Sequence, residues 1–324
     1  MTYIRTVLGD IEPADLGPTY AHEHLVIDGG RPVELYPDFD LSDVDRAVAE
    51  LAPARDLGLA CVVDAMPCSA GRNVRKLVEI SRRSGVHVIA PSGLHLAKYY
   101  AADLWSERGS VDELAERFRA DIEDGIDEHD YLGPVVERTE YLAGVMKIAG
   151  SEPSLTPRER RVYEAAASAH RTTGSPILTH CSKGLGALEQ VRLLADHGVD
   201  PRHVTLSHTD KVIDRGYHRE ILATGAFVEY DQGFRWKAGV DNGTLTLLAW
   251  LFEDGYGDQL MLGMDAARQG YWTTYGGEPG MTFLLGEFAA AMRERGIGDD
   301  AQAALFVRNP ARAYAFAPVA VTAG

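Results

Sequence analysis

The stretch "TYAHEHLVID" (residues 19–28) sets two histidines one residue apart in a run that otherwise has the composition of a β-strand. Alternate residues of a strand share a face, so His22 and His24 stand side by side. Seven more short apolar runs follow: "ACVVDAM" (60–66), "VHVIAPSG" (86–93), "LAGVMKIA" (142–149), "PILTHCS" (176–182), "HVTLSHT" (203–209), "AFVEYDQ" (226–232) and "QLMLGMD" (259–265). Amphipathic helical patterns lie between them. "LSDVDRAVAELAPARDLG" opens with Ser42 as its N-cap, and "TPRERRVYEAAASAHRTTG" opens with the Thr156-Pro157 pair and stops at Gly174. Nearly continuous apolar strands that alternate with helices predict a parallel sheet covered by helices. Eight such units predict an α/β fold, a (β/α)8 TIM barrel whose chemistry sits at the C-terminal ends of the strands. The rival, a doubly wound open sheet, usually carries a Gly-rich phosphate loop after its first strand, and the sequence has none there. "RTVLGDIEPADLGP" (5–18) reads as a small N-terminal β-hairpin, and "DDAQAALFVRNPARAYAF" as a closing helix broken at Pro310.

No Ser/Pro linker, charge block or low-complexity segment divides the 324 residues, so a single domain spanning 1–324 is expected. Apolar residues make up 45%, ample for a core. The formal charge of −16 argues against a nucleic-acid partner, which wants a basic surface, while leaving room for a local basic pocket. The N-terminus lacks the apolar core of a secretory signal, and the run "LTLLAWLF" (245–252) is too short to cross a bilayer. Cys61, Cys68 and Cys181 form neither a CxxC pair nor a disulfide framework. The expectation is a cytoplasmic protein with reduced thiols, acting on a small molecule without a nucleic-acid or membrane partner. A homodimer is left open.

Polar residues recur where the apolar runs end. His22 and His24 are on the first strand, Lys147 on the fourth, His180 on the fifth, His208 on the sixth and Asp265 on the eighth. Each alone has a plain structural reading: a hydrogen-bonded core histidine, an ion-paired lysine, a helix-capping aspartate. Together they would converge on one barrel mouth, and burying an unpaired Lys or Asp costs several kcal/mol. They must satisfy one another or a metal. Four His and one Asp suit zinc or another first-row divalent ion, and exceed the three protein ligands of one catalytic site, so two metals are expected. Lys147 can join only as a neutral amine or, after carboxylation, as a carbamate whose two oxygens bridge a metal pair.

This set resembles the phosphotriesterase family of the amidohydrolase superfamily over essentially the whole chain. The segments that carry the resemblance are "YAHEHL", "VVDAMPCSAGRN", "GVMKIAGS", "ILTHCSKG", "TLSHTD", "LGMDAAR" and "NPARAY". The resemblance implies that His22, His24 and Asp265 hold the more buried metal, and His180 and His208 the more exposed one. Carboxylated Lys147 and a hydroxide would bridge two divalent ions, zinc or else manganese or cobalt. Coordination lowers the pKa of water from about 15.7 toward about 7, and Asp265 would act as base and then acid.

The resemblance also implies a substrate class: organophosphate triesters, lactones, carboxylate esters or phosphorylated sugar lactones. Discrimination falls to the loops "YDQGFRWKAGVDNG" and "MDAARQGYWTTYGGEPGM", which offer Arg235, Trp236, Lys237, Arg268, Tyr271, Trp272 and Tyr275. Lys237, Arg268 and Tyr271 resemble the trio that grips phosphate in the family's phosphosugar-lactone hydrolases, and two cations with a phenol suit a phosphate dianion. The first expectation is therefore a lactonase for a phosphorylated sugar lactone. The alternatives are a lactonase or arylesterase for uncharged substrates with phosphotriesterase activity, and a metal-containing binding protein without turnover. His95, in "SGLHLAKYY", is expected to contact substrate or the bridging hydroxide, where lactonases of the family place a tyrosine; Tyr99 and Tyr100 lie close by. Asp64 and Arg72 are expected to pair behind the site, and Cys181 to point away from it into the core. His87, His129, His170, His197, His203 and His218 are expected to be structural.

Overall fold

A computed structural model describes residues 2–236 and 241–319. The hairpin pairs β1 (Ile4–Thr6) antiparallel with β2 (Gly9–Ile11). Each of the eight apolar runs then holds one barrel strand. They are β3 (Thr19–Glu23), β4 (Cys61–Asp64), a third strand interrupted at Ala90 as β5 (His87–Ile89) and β6 (Pro91–Leu94), β7 (Val145–Gly150), β8 (Ile177–Cys181), β9 (Val204–Ser207), β10 (Phe227–Tyr230) and β11 (Leu260–Leu262). Neighbours pair in parallel throughout, β3 to β5 in one ladder and β6 to β11 in the other. The last strand meets the first where Met264 N and Asp265 N donate to His22 O, at 3.3 and 3.0 Å.

Local sequence explains most helix ends. Helix Pro157–Thr173 starts with a capping box between Thr156 and Glu159 and ends at Gly174, whose φ of 74° only glycine adopts freely. Helix Val44–Asp56 is capped by Asp43, which accepts from Arg46 N at 3.1 Å, one residue later than the expected Ser42. The closing helix is not broken at Pro310. It widens over Ala304–Arg308, which relieves the clash a proline ring makes in a regular helix, and runs on through Asn309–Ala313.

The barrel floor is apolar. Ala21, Cys61, Val63, Ile89, Val145, Leu178, Phe227 and Met261 pack together there, closed from below by Ile4, Leu16 and Tyr314. Side chains two residues further along the same strands face the same interior: Lys147 beyond Val145, His180 beyond Leu178, Glu229 beyond Phe227. On β3 the register against β4 shifts between Tyr20 and Glu23. His22 thus reaches the interior although its neighbour Ala21 already belongs to the floor, a re-aiming typical of bulges.

Behind the barrel, Arg72 does not pair with Asp64. It is buried between Asp121 and Asp130, each 2.8 Å away, whereas Asp64 accepts from Leu25 N and Met66 N at 2.7 and 3.0 Å. Asp64, at the end of β4, is met first by backbone N–H groups of the turns after β3 and after its own strand, and Arg72 is left to the chain excursion that brings Asp130 to it. Cys181 packs outside the barrel with Sγ 3.5 Å from Gln190 Oε1.

The β3–β11 seam depends on Gly263. A Cβ there would lie 2.7 Å from His22 O and 2.8 Å from His22 N, both backbone atoms that cannot swing aside. Gly263→Ala is expected to destabilise the fold by about 1–3 kcal/mol, read as a lowered Tm in thermal unfolding; an unchanged Tm would show that the seam has slack.

Candidate metal centre

Three consecutive residues of the opening stretch take different roles. His22 and His24 face the cavity, with ring centroids 5.6 Å apart. Glu23 points the other way, and its Oε1 accepts from Met264 N at 2.7 Å while Oε2 accepts from Ala266 N at 3.2 Å. The carboxyl group of β3 therefore grips the backbone on both sides of Asp265. That residue sits in the left-handed region at φ 49°, a conformation aspartate tolerates better than most. Arg235 Nη2 donates to its carbonyl at 2.8 Å. So placed, Asp265 Oδ1 is 3.2 Å from His24 Nε2 and 3.8 Å from His22 Nε2, and Oδ2 is 3.9 Å from His208 Nδ1.

His208 also turns left-handed, at φ 67°, immediately after β9. Its Nδ1 hydrogen-bonds to buried Asp231, which leaves Nε2 unprotonated in the neutral ring. His22 Nδ1 faces Ser207 Oγ at 2.9 Å, and its Nε2 lies 3.3 Å from Lys147 Nζ. His180 stacks edge-on against His208 at 4.5 Å. The six residues expected as ligands thus come together at the C-terminal ends of five strands.

Burial governs the electrostatics. It pushes His22 and His180 well below the ordinary histidine range, helped by Lys147 and His208 respectively, so both rings are neutral and carry lone pairs. Burial brings Lys147 down to about 8, within reach of the neutral amine that carboxylation requires. For Asp265 burial acts upward, but the hydrogen bond with His24 and the fields of His208, His22 and Arg235 outweigh it and hold the carboxylate ionised. Glu229 is raised by burial and by Asp231.

The donor set fits divalent ions. Ligand atoms of His22, His24 and Asp265 lie within 4.8 Å of one another, as do those of His22, His208, Glu229 and Asp231. Among the described residues, neither oxygen of buried Glu229 nor Nδ1 of His24 has a hydrogen-bond partner. A buried carboxyl without a hydrogen-bond donor beside neutral imidazoles suits a cation.

The cluster opens on a cavity of about 240 Å³, bordered also by His95, Phe39, Lys211, Arg235, Arg268 and Tyr271. Arg268 Nη1 pairs with Asp38 at 2.6 Å and lies over the Phe39 ring at 4.6 Å. Arg235 is occupied with the carbonyls of Asp231 and Asp265, so it positions the two acidic residues. Tyr271 packs edge-on against Phe234. Lys237 lies outside the described residues. Sequence reasoning passed over Glu23, Lys211, Glu229 and Asp231. For the last two a signal existed, since in "FVEYD" the acids continue the inward alternation begun by Phe227.

Asp231 fixes the tautomer and direction of His208, as outer-sphere carboxylates do for metal-ligating histidines. Asp231→Asn is expected to weaken metal affinity by about 10- to 100-fold, measured by chelator competition. Unchanged affinity would remove Asp231 from that role.

Comparisons with known proteins agree with the fold. The family model described as "Phosphotriesterase family" matches residues 2–314. The chain is 32% identical to a phospho-furanose lactonase of Mycoplasmopsis synoviae, covering 97% of this chain and 92% of that protein. Among solved structures, an amidohydrolase from Mycoplasma synoviae superposes with a TM-score of 0.92 at 31% identity, over 98% of this chain and 93% of the other. A lactonase from Listeria monocytogenes superposes with a TM-score of 0.89 at 28% identity, over 98% and 100%. That family is binuclear and metal-dependent, and its relatives here are hydrolases; the chain belongs to the phosphotriesterase family.

Proposed function

We propose that the protein is a lactonase for phosphorylated sugar lactones, with His22, His24 and Asp265 holding one divalent ion, His180 and His208 a second, and carboxylated Lys147 shared between them. The observation that carries the substrate class is the cationic rim of the cavity, Arg268 and Lys211, in a chain of net charge −16. A pocket for an uncharged ester or acyl tail would be predominantly apolar. Similarity to a phospho-furanose lactonase points the same way.

The ions, when bound, supply an acidified water as nucleophile and a Lewis acid for the carbonyl oxygen. The chain's own residues do the rest. Asp265, kept ionised by its neighbours, takes the proton that water loses and returns it to the ring oxygen as the acyl–oxygen bond breaks. Glu23 and Arg235 fix Asp265 by its flanking backbone. In Asp38 the structure offers Arg268 a carboxylate, and a phosphate presents the same guanidinium with a similar pair of oxygens and more charge. Lys237 and Tyr271 would complete the grip.

A panel of sugar lactones with and without a terminal phosphate tests the reading. Arg268→Ala is expected to raise KM about tenfold or more for phosphorylated lactones, the loss of a charge-assisted hydrogen bond, and to leave unphosphorylated ones unchanged. Equal KM values for the variant and the wild type on phosphorylated lactones would exclude a phosphate grip at Arg268. Asp265→Asn separates turnover from mere binding: hydrolysis should fall by at least about 100-fold, the usual contribution of a positioned acid–base group. Retained turnover in that variant would refute the proton route.

A further inference from the structure

His95 extends the arc of imidazoles. Its ring lies 4.9 Å from that of His180 and meets Tyr99 edge-on at 4.6 Å. It borders the cavity beside the proposed metal ligands, and a fifth histidine there invites the reading of a seventh ligand. The hydrogen bonds point elsewhere. His95 Nδ1 accepts from the backbone N–H of Leu96 at 2.7 Å. A backbone N–H only donates, so Nδ1 carries no proton and the neutral ring carries its proton on Nε2. A nitrogen that bears a proton has no lone pair to offer a metal.

The residue is also immobilised on three sides. Its own N–H donates to Tyr100 Oη at 2.7 Å, its carbonyl accepts from Arg158 Nη1 at 2.8 Å, and Leu96 holds the ring. A ring so fixed presents one remaining polar group, the Nε2–H. It stands next to His180, a proposed metal ligand, and so beside the place where the lactonase reading puts the scissile carbonyl, whereas Arg268 is turned to Asp38 and Phe39.

We propose that His95 is a specificity-determining hydrogen-bond donor and not a metal ligand: its Nε2–H engages an oxygen on the carbon adjacent to the scissile carbonyl, selecting lactones hydroxylated there. The class of substrate is a polyhydroxylated lactone with a hydroxyl at that carbon, whose lone pairs accept from Nε2–H. The substrate part of this inference rests on the lactonase reading above. The donor assignment does not.

Three measurements on the metal-loaded enzyme test it. Long-range 1H–15N spectra of protein carrying 15N-histidine, with His95 assigned by its absence in His95→Gln, should show a protonated Nε2 and an unprotonated Nδ1. Metal content of His95→Gln and His95→Phe should equal that of the wild type. A protonated Nδ1, or loss of metal from both variants, overturns the donor assignment. Kinetically, the wild type should prefer a lactone with the adjacent hydroxyl over its deoxy analogue by about three- to tenfold, the range of a neutral hydrogen bond. His95→Phe should abolish the preference, and His95→Gln, which retains an N–H, should keep most of it. Equal loss on both lactones in His95→Phe would refute hydroxyl selection. A wild type inert toward both would sink the lactonase reading and hydroxyl selection together, while the tautomer and metal content still decide whether His95 donates or ligates.

Discussion

The site depends on one seam. A (β/α)8 barrel exists only if its last strand meets its first, and here that meeting consists of backbone N–H groups of Met264 and Asp265 on the carbonyl of His22, reinforced by the Glu23 carboxyl on Met264 N and Ala266 N. The same few atoms close the fold and set the distance between the His22/His24 pair and Asp265. Gly263 allows it by having no side chain to hold the backbones apart. In "HEH" the two histidines look inward and the glutamate between them fastens the strand across the closure, so structure and chemistry share three adjacent residues.

A second constraint is electrostatic. Glu23, Asp64, Glu229, Asp231 and Asp210 are all buried around imidazoles that burial keeps neutral. Some of these carboxyls find partners: Asp64 the N–H groups of Leu25, after the neighbouring strand, and of Met66, after its own, and Asp210 the Thr244 hydroxyl and Gln232 N. Glu229 finds no hydrogen-bond donor among the described residues, with His22 Nδ1 3.3 Å from its Oε2. An apolar interior tolerates such groups only with compensation, which bound cations would supply. Metal binding to a set of this kind is coupled to the stability of the barrel that presents it.

Much of this was legible in the amino acids. The eight apolar runs each contain a barrel strand, because strands buried on both faces leave a nearly unbroken hydrophobic record. The polar residues that end those runs stand out against it, which is how Lys147, His180, His208 and Asp265 could be gathered from distant parts of the chain. What stayed hidden has physical reasons. Nothing in "SHT" or "GMDA" announces that His208 and Asp265 adopt left-handed backbone, since tertiary hydrogen bonds hold them there. Glu229 and Asp231 share a face with Phe227, a signal the sequence does carry, but only closure of the sheet shows that this face is the barrel interior. Arg268 and Asp38 meet across 230 positions, a pairing no local pattern carries. Arg72 went to the wrong acid for the same reason.

The division between strands and loops bears on how selectivity can arise. The proposed ligands sit on or just past five strands whose neighbours hold them in place, and little there can vary without disturbing the cluster. Asp38, Phe39, His95 and Arg268 are instead on the segments after the first, third and eighth barrel strands, where the backbone is free to differ. His95 is an intermediate case: it follows β6 directly, and three hydrogen bonds hold it as firmly as a strand residue. A donor that rigid discriminates by what it leaves unpaired, because a substrate lacking the matching acceptor strands a polar group against an occupied cavity. Arg268, partly exposed and already paired with Asp38, discriminates by exchange of one anion for another, a weaker filter on shape and a stronger one on charge. The rigid donor beside the reacting carbon and the exchangeable cation at the rim would therefore read different ends of the same substrate.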